Sequence, residues 1–408
     1  MKSLKTFNDP IYGFITIDDE LIFQLLEHPS FQRLRRISQL GLTNLVYSGA
    51  NHSRFQHALG AMNLMKSAIQ VLRSKNVEIS LEDEQAAKIA ILLHDIGHGP
   101  FSHALESTIV KGTHHERIGL LLMNKLNEEM EGRLSRAIAI YKGEHHVKFL
   151  HQLVSSQLDV DRLDYLKRDS FFTGVSEGII GSERLIKMMN VNEDQLVVEA
   201  KGIYSLEKFL LARRLMYWQV YLHKTVVSAE FLLMHILKRA QDIDDIKTSI
   251  DGNPLGYFLL HTDDLNEVEP KEWLDMFLDM DDFDVMSAIK RWTKHPDEIL
   301  SRLCRRLIYR DLLKIKPLEE SLPESEIETL RTNFARLNNL SLDGIEYLIF
   351  QKSVTNRAYN RNSESITILY KDGHVKNLAD AASIFQFGNL DEAETKHYLY
   401  YPKGFNVQ

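Results

Sequence analysis

The sequence predicts a mainly α-helical body followed by a smaller C-terminal lobe of mixed α and β structure. Apolar residues recur at helical spacing through the first 240 residues, whereas apolar and polar residues alternate as in β-strands from about residue 364. The 20 glycines and 9 prolines are spread thinly over 408 residues, which does not indicate flexible linkers between domains. We expect two parts, 1–300 and 301–408, with a soft boundary between 300 and 350.

Two helices of the body are predicted by apolar spacing and by their first residues. Five apolar residues three or four positions apart form one stripe, namely Leu59, Met62, Met65, Ile69 and Leu72. Ser80 followed by Asp83 resembles a capping box and predicts a helix from about residue 81. Thr113 followed by Glu116 predicts another helix from about residue 114.

The helix from residue 81 runs into His94 and Asp95, after which two glycines and a proline should end it. His94 and Asp95 are therefore expected at a helix C-terminus. The acidic segment 244–300 is typical of a solvated face. The other predicted elements are a strand pair at Gln195–Glu199 and Gly202–Ser205, a long helix at Leu206–Ile243, a hairpin at Ser365–Tyr370 with its turn at Lys371–His374, and a last strand at Tyr398–Tyr401.

Composition excludes several classes of protein. Acidic residues exceed basic ones by 57 to 49, and this net charge of −8 argues against broad, sequence-independent binding of nucleic acid. Cys304 is the single cysteine, which excludes a disulfide framework and a thiolate zinc site and fits a reducing cytosol. The start resembles no signal peptide, and no apolar run approaches the ~20 residues that span a bilayer. We expect a cytoplasmic protein that does not enter a membrane.

Histidines are concentrated early in the chain, with 11 of the 17 between His28 and His151. An isolated His-Asp pair is more often a polar helix end than a metal site, but His94 and Asp95 are accompanied by further candidate ligands. Other candidate ligands lie nearby or at suitable spacing, namely His57, His98, His103 and Asp161. Two imidazoles and two carboxylates suit Fe, Mn or Zn, with Mg less favoured, and such a metal acidifies water and polarises phosphoryl oxygens.

One alternative interpretation treats His94, Asp95 and His98 as a variant of the metalloprotease HExxH motif, with the aspartate as base. That motif needs both histidines on one continuous helix. Gly97 and Gly99 interrupt the helix here, so this interpretation is the poorer one.

Three longer motifs resemble the H…HD…D signature of the HD phosphohydrolase superfamily, at Ser53–Gly60, Leu93–His103 and Leu158–Tyr165. Their extended form is similar to the deoxynucleoside triphosphate triphosphohydrolases typified by the SAM-and-HD-domain protein. The similarity continues at Phe7–Gly13, Phe31–Arg35, Gln39–Gly41 and Tyr221–Lys224, and thus covers most of the chain. It begins at the N-terminus, so we expect no counterpart of the SAM domain.

The resemblance implies a catalytic core at about 30–240 and a reaction in which water attacks the α-phosphorus of a dNTP. The nucleoside 5′-oxygen leaves, and intact triphosphate is released. The implied metal ligands are His57, His94, Asp95 and Asp161. His115 matches the general acid, while His98 and Glu106 match residues that position the chemistry, with Glu where the best-known member has Asp.

The resemblance also implies how substrate is held. Asp161, Tyr165 and Asp169 are four residues apart, on one stripe of one helix. Tyr165 would pack against deoxyribose, and Asp169 with Gln39 would bind its 3′-hydroxyl. Leu40 would crowd the 2′ position. The residues implied to bind phosphate are Arg54, His103, Arg162 and Arg213. A second stripe of residues four positions apart consists of Arg213, Tyr217 and Tyr221, of which Arg213 and Tyr221 would face the pocket. Leu222 replaces a polar residue of the typical member, which affects base selectivity.

Regulation by nucleotides is implied more weakly. The residues that match a guanine-nucleotide site are Lys5, Glu27, Gln32 and Arg35, and those that match an adjoining activator pocket are Arg184, Lys201, His223 and Lys224. Glu199 stands where the typical member has an arginine, and its carboxylate would repel a triphosphate. We expect a homo-oligomer, a dimer or tetramer, with the C-terminal lobe in an oligomerisation or regulatory role.

Two other functions remain open. An HD phosphatase or phosphodiesterase acting on nucleoside monophosphates or cyclic nucleotides would share the four metal ligands, and orthophosphate as product would favour it over the triphosphohydrolase. A nucleotide-responsive binding protein with a vestigial site is a third hypothesis. Neither residue spacing nor the family resemblance assigns a role to six of the early histidines: His28, His52, His114, His145, His146 and His151.

Overall fold

The computed structural model describes residues 5–106, 108–246, 250–261, 264–356, 365–381 and 394–407, and the His103 side chain lies outside that description. Over these residues the chain forms a helical body, three small β-sheets and a mixed C-terminal lobe. The fold class expected from the sequence is confirmed.

The body is built mainly of helices. They are α1 (Glu20–Glu27), α2 (Pro29–Gln32), α3 (Arg54–Ser74), α4 (Leu81–Leu93), α5 (Ser102–Glu106), α6 (His115–Glu129), α7 (Ser135–Tyr141), α8 (Lys148–Val154), α9 (Val160–Thr173), α10 (Ser182–Met188), α11 (Ile203–Met216) and α12 (Lys224–Gln241). Later helices are α13 (Leu255–Leu260), α14 (Pro270–Asp279), α15 (Asp282–Trp292), α16 (Glu298–Ile308), α17 (Glu324–Asn338) and α18 (Leu378–Ala381). A 3₁₀ turn at Gly41–Leu45 and a π-helical turn at Tyr217–Tyr221 become important below.

The strands pair in three sheets. An antiparallel hairpin joins β1 (Lys5–Asp9) to β2 (Gly13–Ile17), with Phe7 opposite Ile15. The second sheet has the order β3 (Met189–Asn192), β4 (Gln195–Glu199), β7 (Thr367–Leu369) and β8 (Val375–Asn377), and its β4–β7 pair is parallel. The third sheet is antiparallel in the order β5 (Lys314–Leu318), β9 (Glu394–Tyr401) and β6 (Phe350–Asn356).

Helix α3 lies at the centre of the body and packs against α4 and α9. The five residues of its predicted apolar stripe are all buried, as the spacing indicated. Gly60 permits the close approach of α9, because a Cβ there would lie 2.1 Å from Asp164 Oδ1. This packing brings the first and third sequence motifs together.

Helix starts agree with the sequence at α4 and differ slightly at α6. Ser80 caps α4 by accepting a hydrogen bond from the Asp83 backbone N–H at 3.0 Å. The N-cap of α6 is His114 rather than Thr113, and it makes no side-chain cap. The buried Thr113 Oγ1 has no hydrogen-bond partner among the described residues, so the second capping box was wrong.

The predicted strand Gly202–Ser205 is wrong, because Ile203 begins α11 and β4 pairs instead with β3. Apolar residues after Gly202 follow helical rather than alternating spacing, with Leu206, Phe209 and Leu210 fully buried. The long helix predicted after them bends by 54° between Ala200–Tyr221 and Lys224–Gln241.

The predicted C-terminal hairpin and last strand are confirmed as β7–β8 and β9. The lobe contacts the body, because β7 adds to the β3–β4 hairpin and the larger of two described hydrophobic clusters extends from Ile15 to Leu399.

The acidic segment is packed rather than uniformly solvated. Trp273, Phe277 and Trp292 are buried there. Asp281 pairs with Arg36, and Asp282 accepts a hydrogen bond from the Ser38 backbone N–H at 2.9 Å. The expectation of a solvated face is wrong for this part. Asp263 lies outside the described residues.

Across the described ranges no single helix is long and apolar enough to cross a membrane. The bent α11–α12 pair taken together has sufficient length and apolar composition, by those two criteria alone.

Candidate active site

One cavity of about 1000 Å³ opens among the 3₁₀ turn Gly41–Leu45, the α4–α5 connection, α6, α9 and the bend before α12. Most of the candidate residues from the sequence line it, including Gln39, Leu40, Arg54, His94, Asp95, His98, His115, Asp161, Arg162, Tyr165, Asp169 and Tyr221. The substrate and metal candidates, which came from separate motifs, therefore share one chamber.

Three helices contribute a compact group of ligand atoms at one end of this cavity. His57 from α3, His94 at the end of α4 and Asp161 at the start of α9 each present one atom within 4.8 Å of the others. The Nε2 atoms of His57 and His94 are 3.3 Å apart and lie 3.0 and 3.4 Å from Asp161 Oδ1. Such a spacing allows the three atoms to face one ion.

Asp95 supplies a fourth group. Its Oδ1 lies 3.4 Å from His94 Nε2, and its Oδ2 lies 3.8 Å from His57 Nε2. Because α4 has already ended at Leu93, two adjacent side chains can turn toward the same point. Arg54 Nη1 donates a hydrogen bond to Asp95 Oδ2 at 2.6 Å and fixes that carboxylate.

The two imidazoles are oriented through their other nitrogens. His57 Nδ1 donates to Asp164 Oδ2 at 2.7 Å, and His94 Nδ1 donates to the Ile91 carbonyl at 2.6 Å. Asp164 is held in turn by Arg168, whose Nε lies 2.9 Å away and whose Nη1 also binds Asp9 at 2.8 Å. Both Nε2 atoms thus face Asp161 rather than the supporting groups, an arrangement typical of histidine ligands.

The electrostatics of the group favour a cation. Burial lowers the pKa of His57, but hydrogen bonds with Asp161 and Asp164 outweigh burial and raise it to about 10. Burial raises the pKa of Asp161, yet its hydrogen bonds from His57 and His94 hold that pKa far below the ordinary value. The carboxylates therefore stay ionised and stabilise positive charge at the Nε2 atoms, where a divalent ion would supply it.

A second group of side chains lies beside the first. The rings of His98 and His115 stack with centroids 3.9 Å apart, and His115 Nδ1 donates to Glu106 Oε1 at 3.1 Å. Gly97 permits this packing, since a Cβ there would lie 2.1 Å from the His115 carbonyl oxygen. Burial, followed by the charge of Arg54, lowers the pKa of His98 to about 3, so His98 is neutral.

The next part of the cavity wall is aromatic and polar. Tyr165 and Tyr221 pack edge to face with centroids 6.1 Å apart. The Tyr221 hydroxyl donates to Asp169 Oδ2 at 2.7 Å, and His52 Nε2 donates to Asp169 Oδ1 at 2.8 Å. Gln39 Oε1 is buried and has no hydrogen-bond partner among the described residues.

Arg54 and Arg162 line the cavity, whereas Arg213, which was also expected to face it, is not among the lining residues. The Nε atoms of Arg54, Arg162 and Arg213 are buried and have no hydrogen-bond partner among the described residues. Arg162 is held by Asp159, and Arg213 lies over the Tyr217 ring at 6.0 Å. The side chain of His103, the fourth phosphate candidate, lies outside the described residues.

Sequence reasoning missed several residues around the site. His52, left without a role, orders Asp169 from within the core and stacks on Phe172 at 4.5 Å. Asp164 and Arg168 could have been found, because they follow Asp161 on α9 by three and seven residues. Arg117, Lys142, His151 and Glu230 line the cavity without any motif that marks them.

The first set of regulatory candidates lies near the start of the body. Arg35 Nε donates to Gln32 Oε1 at 2.8 Å, and the Arg35 guanidinium lies 3.6 Å above the Phe55 ring. Lys5 lies over the Phe23 ring at 5.1 Å, and Glu27 ends α1. Gln32 and Arg35 are therefore brought into direct contact.

The second set divides into two places within one chain. Arg184 donates to the Lys201 carbonyl at 3.4 Å, whereas His223 and Lys224 lie beyond Tyr221. The continuous helical stretch Ala200–Tyr221 separates the two pairs by about 30 Å at about 1.5 Å per residue. The four residues are not one basic cluster within a chain, and Glu199 binds both Lys75 and Lys201 at 2.7 Å.

Comparison with known proteins identifies the fold and the family. The HD domain profile matches residues 54–169, and the HD associated region matches 180–250. A crystal structure of a phosphohydrolase from Bacteroides thetaiotaomicron VPI-5482 is 46% identical, covers 98% of this chain and 100% of its own, and has a TM-score of 0.94.

Two curated relatives extend this result. The uncharacterized protein YwfO of Bacillus subtilis is 32% identical, over 98% of this chain and 92% of its own length. The deoxynucleoside triphosphate triphosphohydrolase SAMHD1 homolog of Dictyostelium discoideum is also 32% identical, over 61% of this chain and 52% of its own, so the match spans about half of that enzyme. The resemblance inferred from the motifs is confirmed, and the chain belongs to the HD-domain family of metal-dependent phosphohydrolases.

Proposed function

We propose that the protein is a metal-dependent deoxynucleoside triphosphate triphosphohydrolase, which cleaves a dNTP to deoxynucleoside and triphosphate. The observation that carries the proposal is the contact of one group of metal-ligating side chains with two others in one cavity. The proposed metal ligands contact the stacked histidine pair, through Asp95 and His98 3.2 Å apart, and the sugar-sized aromatic and polar wall, through the His57 and Tyr165 rings with centroids 6.5 Å apart. Such an arrangement suits a substrate whose phosphate and deoxyribose are both recognised.

The four residues proposed as metal ligands are His57, His94, Asp95 and Asp161. Their donor set of two imidazoles and two ionised carboxylates fits Fe, Mn or Zn better than Mg. When bound, a divalent ion polarises a phosphoryl oxygen and lowers the pKa of water. Arg54 would keep Asp95 in place and turn its unused Nε toward phosphate oxygens.

His115 is proposed as the general acid. Its Nδ1–H is held by Glu106, so its Nε2 is free to donate a proton toward the cavity. In the proposed reaction the oxygen of water bonds to the α-phosphorus, and the bond from that phosphorus to the 5′-oxygen breaks. The 5′-oxygen takes the His115 proton, and the proton lost by water leaves with triphosphate or solvent. His98, neutral and stacked on His115, would position that ring.

The nucleoside would lie along α9 beyond the metal. Asp169 is two turns from Asp161, about 12 Å along the helix axis, which leaves room for phosphate and sugar between them. Tyr165 lies between the two and offers a flat face to deoxyribose. Leu40 would stand at the 2′ carbon, where a ribose hydroxyl would lose its hydrogen bonds to water.

Similarity to a named triphosphohydrolase supports the same assignment, although the comparison covers about half of that enzyme. A phosphatase or phosphodiesterase acting on monophosphates or cyclic nucleotides would use the same metal group. The identity of the phosphate product separates the two functions, because only the triphosphohydrolase releases triphosphate.

The test is product analysis. The protein is reconstituted with Mn, Fe, Zn or Mg and incubated with the four dNTPs, singly and mixed, and the phosphate products are resolved by phosphorus NMR. We expect triphosphate and deoxynucleoside in equal amounts. Orthophosphate as the sole phosphate product, or no turnover with any metal, would overturn the proposal.

We propose further that a nucleotide bound near Lys5, Glu27, Gln32 and Arg35 promotes a homo-oligomer and raises activity, with the lobe 301–408 contributing to assembly. Because Glu199 already neutralises Lys201 and would repel a triphosphate, a second activator at Arg184, Lys201, His223 and Lys224 would bind poorly. Light scattering tests this expectation: a monomer that is fully active on one dNTP alone would contradict it.

A further inference from the structure

The cavity lining includes residues of the 3₁₀ turn and of the segment that follows Tyr221. Leu42 and Thr43 line it from the 3₁₀ turn, and Leu222 and Leu233 line it from that segment. Glu230 lies on α12 three residues before Leu233, so these two side chains share one side of the helix, while Leu222 lies at the bend before α12. If phosphate binds at the metal and the 3′-hydroxyl at Asp169, the nucleobase enters this part of the cavity.

Glu230 has a carboxyl group at that position with nothing to bind. No described hydrogen bond or ion pair involves its carboxylate, whereas Asp95, Asp161 and Asp169 all have partners. Burial alone raises the pKa of Glu230 to about 7, because no donor compensates for the lost water. The Glu230 side chain is only partly buried, so a ligand that enters the cavity can reach its carboxylate and supply donors.

One alternative partner for Glu230 within the chain is Tyr400 of β9. Its hydroxyl is buried without a hydrogen-bond partner among the described residues, and the charge of Glu230 helps to raise the Tyr400 pKa. The Tyr400 hydroxyl and the Glu230 carboxylate therefore influence each other electrostatically, but no hydrogen bond between them is described. A structural role for Glu230 would require that bond, so Tyr400 provides a direct way to separate structural from ligand-binding roles.

We propose that Glu230 selects the nucleobase and favours guanine, a step that rests on the proposed function for the identity of the ligand as a dNTP and for its orientation in the cavity. Among the four DNA bases, guanine alone presents two adjacent N–H donors, N1–H and the N2 amino group. An ionised carboxylate accepts both at once, as it accepts the two donors of an arginine. Adenine and cytosine place an acceptor beside their donor, and thymine places its single N–H between two carbonyl oxygens.

The expected discrimination is substantial, since an analogue that fails to pair a buried polar group is rejected far more strongly than one that differs by a methylene. Wild-type protein should prefer dGTP to dATP by at least about tenfold in kcat/KM. Deoxyinosine triphosphate, which keeps N1–H but lacks the N2 amino group, should fall between them. Apolar walls alone would not separate these three purines.

The test compares wild type with Glu230→Gln, which keeps the side-chain size but turns an amide donor toward the base. We expect kcat/KM for dGTP to fall at least about tenfold and that for dATP to change less than about threefold. Glu128→Gln, an exposed glutamate of α6, is the matched control and should change neither. Tyr400→Phe should retain the dGTP preference. Loss of that preference in Tyr400→Phe, or its retention in Glu230→Gln, would overturn the proposal.

Binding measured by calorimetry with metal chelated makes the two proposals separable. Wild type and Glu230→Gln share every other nucleotide site, so their difference in dGTP affinity reports Glu230 alone. Triphosphate release with an unchanged dGTP-to-dATP ratio in Glu230→Gln would defeat base selection and leave the proposed function standing. Weaker dGTP binding in Glu230→Gln without turnover of any dNTP would defeat the proposed function and leave base selection standing.

Discussion

The two ends of the cavity are built in opposite ways. At the metal end each ligand is fixed by another residue, as in the buried series His57, Asp164 and Arg168. At the proposed nucleoside end Asp169 is held by His52 and Tyr221, but Gln39 Oε1 has no described hydrogen-bond partner, and Glu230 takes part in no described hydrogen bond or ion pair. The metal end is thus preorganised, whereas under the proposed function Gln39 and Glu230 would be paired only when substrate is bound. This division suits an enzyme that holds its reacting groups rigidly and obtains selectivity from binding.

The strongest way to break the metal end is to remove a ligand. Asp161→Ala should abolish turnover, a loss of at least about 10³-fold, because Asp161 Oδ1 lies within reach of both Nε2 atoms and is central to the group. Metal content measured by mass spectrometry should fall with activity, while circular dichroism should show an intact helical fold. Full metal occupancy and activity would show that the site lies elsewhere.

Removing the proposed acid should affect chemistry without affecting the metal. His115→Gln keeps the hydrogen-bonding side chain at the start of α6 but cannot donate the required proton, and we expect kcat to fall about 10²- to 10⁴-fold. Metal content and KM should remain close to wild type. If metal content drops in parallel, then His98, Glu106 and His115 act as a second metal site, since their ligand atoms also lie within 4.8 Å of one another.

The preorganisation of His57 can be tested by changing Asp164, which holds His57 but is not itself a proposed metal ligand. Asp164→Asn removes the charge that holds His57 Nδ1–H and pairs with Arg168, so metal affinity should weaken about 10- to 100-fold. Metal titration of activity measures the change. Saturating metal should restore most of kcat, whereas a fold defect would persist at any metal concentration.

The smallest expected effect sharpens the boundary between the two ends. His52→Gln weakens the support of Asp169 Oδ1, while Tyr221 continues to hold Oδ2. We expect KM for a dNTP to rise about tenfold, with kcat changed less. A 2′,3′-dideoxy substrate lacks the hydroxyl that Asp169 would bind and should show the same KM in both proteins. An equal KM increase for both substrates would assign His52 a structural role alone.

Much of the fold was predictable because its signals are local. Apolar spacing predicted α3, Ser80 predicted the start of α4, and the glycines after His94 predicted its end. Local signals also failed where tertiary packing determined the secondary structure. At Gly202–Ser205 the chain begins α11 instead of forming a strand. The acidic residues 281 and 282 were likewise misjudged, because their partners Arg36 and Ser38 are distant in sequence.

The sequence by itself determined the family and the identity of the four proposed metal ligands, because spacing along single helices and a specific motif set carry that information. Only the tertiary structure decided which residues support them. His52 reaches Asp169 across 117 positions, and Asp9 reaches Arg168 across 159. It also decided that Glu230 faces a cavity and that Lys201 and His223 lie apart. Such relations arise from helices packing side against side, and no local pattern in one chain encodes them.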